Sequence, residues 1–180
     1  MGADRAAADL EQFLAERGEP LLRAAVLLAG STEAGEDLLQ AALERLLRHW
    51  RTIEGDPEGY LRRTLYHLAA DNWRQQRAWR KRLRLLQPGA GAAVVDGTAE
   101  VDLRDSLVRL LMQLPPRQRA VIVARYWEQL SEAEAAQVLG CSVGTVKSAA
   151  SRGLRRLREL SESRGPAERA AQGSARERRS

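Results

Sequence analysis

The sequence predicts an all-α fold of two small helical domains, residues 10–86 and 101–161, joined by a flexible linker. Within both ranges apolar residues recur at the i, i+3 and i+4 spacing of helices, and no stretch alternates as a strand does. Residues 87–100 contain three glycines, one proline and no aromatic residue, which is typical of a linker. Residues 162–180 are polar, charged and poor in large apolar side chains, so we expect a disordered tail, and we also expect residues 1–9 to be disordered.

Three helices are expected in the first domain. The first covers residues 10–29, with a break or kink at Pro20, and Gly30 ends it. The second covers about 33–50, and a third long helix covers about 57–86 after a loop rich in turn-forming residues. The expected apolar stripe of the second helix is Leu38, Leu39, Ala42, Leu43, Leu46, Leu47 and Trp50.

Charge is divided unevenly within this domain. Residues 1–59 hold six Lys/Arg against twelve Asp/Glu, a net charge of −6, whereas residues 60–86 hold eight Lys/Arg against Asp71 alone, a net charge of +7. Opposite charge on adjacent segments suggests two different partners. The net charge of the whole chain, +5, is consistent with a polyanionic partner. An unevenly charged surface without partners is the alternative.

The basic segment is also interleaved with aromatic residues. Guanidinium groups bind phosphate with two parallel hydrogen bonds, and Tyr60, Tyr66 and Trp79 could stack on unpaired bases. Tyr66 and Trp79, like Trp73, could equally belong to the core, and for Trp73 the core is the favoured interpretation. This combination of residues indicates a nucleic-acid interface on the third helix.

The second domain begins with two further helices, over 101–113 and 117–128, separated at Pro115 and Pro116. A helix-turn-helix is predicted to follow. Ala136, Gly140 and Val146 have its spacing: a small residue where two helices cross, a glycine for the turn, and a buried residue in the angle between them.

Capping residues mark both helices of this motif. Ser131 and Glu134 have the spacing of a capping box, and Ser142 is expected to cap the second helix. The inner stripe of that helix is Val143, Val146, Ala150, Leu154 and Leu157. The outward residues, suited to phosphates and base edges in a major groove, are Thr145, Lys147, Ser148, Ser151 and Arg152, with Arg155 in the basic segment that follows.

Other functional classes are disfavoured by what the sequence lacks. Cys141 is the single cysteine, which excludes an internal disulfide and a cysteine-rich zinc site. His67 has no partner at metal-ligand spacing, and no constellation for catalysis or cofactor binding is present, so neither an enzyme nor a metal or cofactor site is expected. The absence of a long apolar run and of a signal-peptide pattern predicts a cytoplasmic protein.

Four blocks of the chain resemble the extracytoplasmic-function sigma factors, the small promoter-recognition subunits of bacterial RNA polymerase. They are AGEDLLQAALERLLRHW (34–50), YLRRTLYHLAADNWRQQR (60–77), LPPRQRAVIVARYWEQLSEAEAAQVLGCSVGTVK (114–147) and SRGLRRLRE (151–159). With their spacers they cover about residues 10–160. The last two blocks are specific, and the order of two helical domains around a variable linker is more specific still.

The resemblance implies that the first domain is sigma region 2 and the second is region 4. The β′ clamp helices of core RNA polymerase would be bound by Glu36, Asp37, Leu38, Gln40 and Glu44. The loop over 51–58 would hold a flipped base of the −10 element. That element would be bound and melted by Tyr60, Arg63, His67, Asp71, Asn72, Arg74 and Arg77. The −35 element would be read by the outward residues of the helix-turn-helix.

Further partners follow from the same resemblance. Region 4 would contact the β flap of the polymerase, and many family members are bound by an anti-sigma factor. Three positions depart from the usual family pattern: Ala41 and His67 in region 2 and Ala149 in region 4. Two other functions remain open at this point, a transcription factor that does not dock on polymerase and a helical protein-interaction module that does not bind DNA.

Overall fold

The fold is all-helical in the parts of the chain that the structure, a computed structural model, describes: residues 2–50, 52–53, 55–86 and 103–177. No strand occurs within those ranges, which confirms the predicted fold class. The linker predicted over 87–100 lies outside the described residues. The helices are α1 (Gly2–Ala29), α2 (Thr32–His49), α3 (Pro57–Leu86), α4 (Leu103–Met112), α5 (Pro116–Ile122), a π-helix (Val123–Trp127), α6 (Glu132–Leu139) and α7 (Val143–Glu177).

The first domain is a packed bundle of α1, α2 and α3. Its largest fully buried side chains include Leu28 from α1, Leu46 from α2, and Leu61 and Leu65 from α3. Burial of such apolar side chains is the main force that holds small helical domains together. Leu47, which the sequence placed in the buried stripe of α2, is 54% exposed, so the actual stripe is narrower than predicted.

Capping interactions set where α2 and α3 begin. The Ser31 hydroxyl accepts a hydrogen bond from the backbone N–H of Ala34, 3.2 Å away, which caps α2. The carboxylate of Asp56 accepts from the N–H of Gly59 at 2.7 Å, and Pro57 has the fixed φ angle that suits a first helical position. The loop before α3 thus has a structural role at its end, in addition to any contact with DNA.

Helix α1 differs from the prediction. It is continuous from Gly2 to Ala29 with Pro20 inside it, so the helix does not break there, and it includes most of the predicted disordered N-terminus. A proline removes one backbone hydrogen bond, but Leu21 and Ala24 beside it are buried against the bundle. Packing on the C-terminal side therefore holds the chain in the helical path.

The predicted helix over 117–128 is divided in the structure. Helix α5 gives way to the π-helix at Val123, and the backbone N–H of Glu128 bonds to the carbonyl of Val123 at 3.0 Å, five residues back. Gln129 follows with a φ of 56°. The π turn is wider than an α turn, so Glu128 lies out of α-helical register, and its carboxylate contacts α3.

The helix-turn-helix has the predicted local structure. The Ser131–Glu134 capping box is formed, and Gly140 ends α6 with a φ of 60°, a conformation that side-chain-bearing residues rarely adopt. Val146 is fully buried between the two helices. Val143 was expected in the same inner stripe but is 39% exposed.

Two further features of α7 are the burial of Ala149 and the length of the helix. Ala149 is 1% exposed and belongs to the core, so a longer side chain would have to displace its neighbours there. Helix α7 also continues to Glu177, through most of the tail predicted as disordered.

Candidate nucleic-acid interface

The outer face of α7 carries one continuous row of polar and basic side chains. Thr145, Ser148, Arg152 and Arg155 follow one another at steps of three or four residues, which places them on one side of a helix. Ser148, Arg152 and Arg155 are exposed and Thr145 is partly exposed. We call these four residues the α7 row. This side of α7 is open to solvent.

Local hydrogen bonds orient the start of this row. The Ser142 hydroxyl accepts from the backbone N–H of Thr145 at 3.2 Å, and the two hydroxyls lie 3.0 Å apart. The Arg152 guanidinium donates to the Ser148 hydroxyl at 3.4 Å. Because Ser142 fixes the first turn, the row begins at a defined position beside the sharp turn at Gly140.

Two residues of the predicted set belong to a neighbouring groove. The Lys147 ammonium is 3.3 Å from the Glu132 carboxylate on α6, and Ser151 lies beside Lys147 in a shallow groove that Arg125 and Tyr126 also line. Such a partly exposed ion pair contributes little to stability and can open readily. Lys147 and Ser151 therefore flank the α7 row, and the Lys147 ammonium has three N–H donors, of which the contact with Glu132 occupies only part.

A second stripe runs along α3. Tyr60, Arg63, His67, Asp71 and Arg74 follow at steps of three or four residues, and Arg77 extends the stripe by another turn. We call these six residues the α3 stripe. Asn72 is exposed but points away from it, one residue and about 100° round the helix from Asp71.

Some polar side chains of the α3 stripe already have partners in the protein. Asp71 forms an ion pair with Arg74, and the hydroxyl of Tyr60 is 3.4 Å from Nδ1 of His49 on α2. Among the aromatic residues proposed to stack on bases, Trp79 is 65% exposed and available. Tyr66 is 2% exposed, so base stacking by Tyr66 is wrong for this structure and its core interpretation holds.

The acidic surface of α2 is separate from both DNA-binding candidates. Glu36, Asp37, Gln40 and Glu44 are all exposed. Leu38, which was assigned to the same surface, is 2% exposed in the core. Its side chain supports the helix from behind, so we correct the predicted polymerase-binding set by removing it.

The structure also reveals a contact between the two domains that sequence reasoning missed. The carboxylate of Glu128 accepts from Nε of Arg62 at 2.8 Å and from the hydroxyl of Tyr66, both on α3. Arg62 also bonds to Glu58 at 2.6 Å. We call Glu128, Arg62 and Tyr66 the Glu128 cluster. Sequence spacing does not predict this cluster, because Glu128 is more than sixty residues away from both Arg62 and Tyr66.

Burial and charge perturb the titration of this cluster. Burial, reinforced by the Glu128 carboxylate, holds the pKa of the Tyr66 hydroxyl well above its usual range. Burial alone would lower the pKa of Arg62, but Glu128 and Glu58 outweigh it and leave the pKa raised. Both groups therefore keep their protons throughout the physiological range, and Tyr66 remains a hydrogen-bond donor.

A second contact between the domains joins α5 to α3. The Arg119 guanidinium lies 4.7 Å from the centre of the Trp73 ring, within the range of a cation–π interaction. Arg119 is only 3% exposed, and its Nε has no hydrogen-bond partner. Burial lowers the pKa of Arg119 to about 10.

No group of three or more His, Cys, Asp or Glu residues suited to a metal ion occurs among the described residues. None of the helices in that part of the chain has both the length and the apolar character needed to cross a bilayer.

Comparison with known sequences matches each domain to a region of the sigma-70 proteins. The family described as sigma-70 region 2 matches residues 14–79, and the family described as sigma-70 region 4 matches residues 104–157. The two matches fall on the α1–α3 bundle and on the domain that contains the helix-turn-helix.

Similar proteins extend this match over nearly the whole chain. The RNA polymerase sigma-E factor of Streptomyces avermitilis is 38% identical over 172 residues, 94% of each chain. The ECF RNA polymerase sigma factor SigM of Mycobacterium tuberculosis is 32% identical over 166 residues, which are 89% of this chain and 80% of SigM.

A solved structure agrees with these sequences. The sigma factor RpoE of Bartonella quintana, determined with the anti-sigma factor NepR, superposes with a TM-score of 0.66 at 26% identity and covers 86% of this chain and 97% of that one. A transcription factor that acts without polymerase and a plain interaction module are thereby set aside. The chain belongs to the extracytoplasmic-function sigma factors of the sigma-70 family, non-catalytic subunits that direct RNA polymerase to promoters for transcription initiation.

Proposed function

We propose that region 4 of this sigma factor reads the −35 element through the α7 row and that region 2 binds and melts the −10 element through the α3 stripe. The observation that carries the proposal is the α7 row itself, a set of hydroxyl and guanidinium groups presented on the first turns of the second helix-turn-helix helix. Lys147 and Ser151 contact the flanking backbone.

The role of region 2 follows from the chemistry of the α3 stripe. Its arginines bind the phosphates of the displaced strand, and this binding weakens as salt is raised. Exposed aromatic groups such as Trp79 stack on bases that have left the duplex. Capture of an unstacked base offsets a cost of a few kcal/mol, so the subunit promotes DNA opening by binding its product and catalyses no covalent step.

The acidic surface of α2 is the proposed contact with core polymerase. Glu36, Asp37, Gln40 and Glu44 present carboxylates and an amide on one exposed side of the helix, which suits a basic surface such as the β′ clamp. Region 4 binds the β flap at the same time, and an anti-sigma factor that masks either surface would inhibit the protein. Its place of action is the cytoplasm, where polymerase and promoters are found.

Run-off transcription tests the proposal as a whole. Core polymerase is supplied with this chain on a set of candidate promoter fragments, and transcripts are compared with those from core polymerase alone. We expect start sites that depend on the chain and that are lost when the −10 or the −35 sequence is scrambled. Transcription that survives both scrambled sequences would refute the assignment of the two elements.

The Arg152→Ala substitution tests the α7 row in particular. We assign this side chain to a phosphate, because it lies in the third turn of α7, beyond the N-terminal residues that contact base edges in a helix-turn-helix. Fluorescence anisotropy on a library of −35 duplexes should therefore show a nearly uniform loss of affinity, with a salt slope lower by about one.

A base contact would give a different pattern from the same library. If Arg152 reads a guanine, the loss is about 1–3 kcal/mol and confined to sequences with that base. The matched control is Arg45→Ala, which removes the same charge from an exposed position on α2 and should leave binding unchanged. Equal affinity of the Arg152 variant and the unsubstituted chain on every sequence would remove the α7 row from the interface.

A further inference from the structure

His49, the last residue of α2, contacts both ends of the loop that leads to α3. Its backbone carbonyl accepts hydrogen bonds from the N–H groups of Thr52 at 2.8 Å and Ile53 at 3.0 Å, and from the Thr52 hydroxyl at 2.9 Å. Its imidazole ring lies 6.0 Å from the ring of Tyr60, the first residue of the α3 stripe. The carbonyl contacts would form with any residue at this position, whereas the contact with Tyr60 requires the histidine side chain.

One nitrogen of the His49 imidazole is within hydrogen-bond distance of two oxygen atoms. Nδ1 lies 2.9 Å from the carbonyl oxygen of Arg45 and 3.4 Å from the hydroxyl oxygen of Tyr60. A backbone carbonyl has no hydrogen to donate, so Nδ1 carries the hydrogen and donates it to Arg45. A ring nitrogen that carries a hydrogen cannot accept, and the Tyr60 oxygen therefore accepts a share of the same N–H.

This direction of the hydrogen bond leaves the hydroxyl hydrogen of Tyr60 for another acceptor. The Tyr60 side chain is partly exposed at the start of the α3 stripe, one turn before Arg63. Phosphate oxygens are acceptors, and tyrosine hydroxyls are among the groups that commonly donate to the DNA backbone. If His49 carried its hydrogen on Nε2 instead, Nδ1 would accept from Tyr60 and withdraw this donor from the strand.

We propose that His49 is a positioning residue for the −10 element, because its Nδ1–H, fixed by the Arg45 carbonyl, holds the Tyr60 hydroxyl as a donor to the DNA strand. The inference rests on the proposed assignment of the −10 element to the α3 stripe. His49 itself need not touch DNA. Since the pair joins the end of α2 to the first turn of α3, it also keeps the two ends of the intervening loop close together.

The position of the hydrogen on the ring can be measured without DNA or polymerase. A two-bond ¹H–¹⁵N correlation spectrum of the full chain is recorded at alkaline pH, where the imidazole of free histidine is neutral. The chain has two histidines, so the signals that His49→Asn removes are those of His49. We expect the chemical shifts of a ring that carries its hydrogen on Nδ1. A ring with its hydrogen on Nε2 would overturn the inference.

Three substitutions of His49 test the function of this N–H in holoenzyme reconstituted from core polymerase and the full chain. His49→Asn places an amide N–H near the position of Nδ1, His49→Gln moves the amide one methylene further out, and His49→Leu has no donor. The rate of open-complex formation is measured on the most active fragment from the run-off series. His49→Leu and His49→Gln should lower this rate roughly three- to tenfold, the effect of one hydrogen bond of ordinary strength, and His49→Asn should restore most of it. Thermal unfolding should have the same midpoint in all three variants.

The substitution Tyr60→Phe shows whether His49 acts through Tyr60. It should lower the rate about as much as His49→Leu, and the double variant should lose no more than either, because all three remove the same contact. Losses that multiply in the double variant would overturn the inference, as would equal impairment by His49→Asn and His49→Leu. Failure of the proposed function is distinct: the rate would then be insensitive to Tyr60→Phe and to Arg74→Ala, while the spectrum still showed the hydrogen on Nδ1.

Discussion

The substitution Gly35→Ala is expected to destabilise region 2 by about 1–3 kcal/mol. Gly35 lies where α2 crosses α1, and a Cβ added there would be 2.6 Å from Cγ2 and 2.8 Å from Cα and N of Val26. Two of these three atoms belong to the backbone, so rotation of a side chain cannot relieve the overlap. The intrinsic gain of about 1 kcal/mol when alanine replaces glycine in a helix offsets only part of the cost.

Thermal unfolding of the full chain, followed by circular dichroism, measures this effect. For a domain of this size each kcal/mol corresponds to roughly 4–8 °C in the midpoint. Gly18→Ala is the matched control: Gly18 is also helical, and nothing lies within 4 Å of its added Cβ. That variant should be more stable by about 0.5–1 kcal/mol. Opposite signs are the required result, and two variants that are equally stabilised would mean that α1 and α2 do not cross as described.

The substitution Asp37→Arg is expected to weaken binding of the chain to core RNA polymerase at least roughly tenfold, because like charges brought together in an interface cost several kcal/mol. Asp37 is exposed on the acidic surface of α2, which we assign to the β′ clamp. Binding is measured by titration of core polymerase with a labelled chain, and run-off transcription should fall in parallel at limiting concentrations.

A charge-matched variant separates this contact from a general electrostatic effect. Glu11→Arg changes the net charge by the same amount at an exposed position on α1, and it should bind polymerase as the unsubstituted chain does. Helicity at 222 nm should be the same for both variants. If Glu11→Arg is equally impaired, long-range steering accounts for the loss. If Asp37→Arg binds normally, the acidic surface has no part in docking.

Local features of the structure were open to prediction because they depend on residues close together in the chain. The capping box at Ser131 and Glu134 and the left-handed turn at Gly140 follow from backbone chemistry within a few residues. The limits of α3 at Pro57 and Leu86 were also predicted correctly. The resemblance to the sigma family rested on four sequence blocks and on the order of two helical domains around a linker, and composition alone would not have suggested it.

Other features depend on contacts that no spacing rule contains. Helical spacing placed Leu38 in the apolar stripe of α2, where it is buried, whereas the family resemblance placed it with the exposed Glu36 in the polymerase-binding set. Helix α1 passes through Pro20 since buried side chains beyond it hold the helical path. A proline does not end a helix when the packing of neighbouring side chains contributes more free energy than the one backbone hydrogen bond that the proline removes.

The sequence alone thus determined the fold class, the two helical domains, the helix-turn-helix and the basic and acidic surfaces, since each depends on residue type and short-range spacing. Tertiary structure alone decided that region 4 lies against α3. That contact depends on a π turn that redirects Glu128 and on a charge pair with Arg62 sixty-six residues away. Long-range pairs of this kind depend on packing and on the free-energy cost of burying an unpaired charge. Neither can be inferred from the spacing of residues within a short segment.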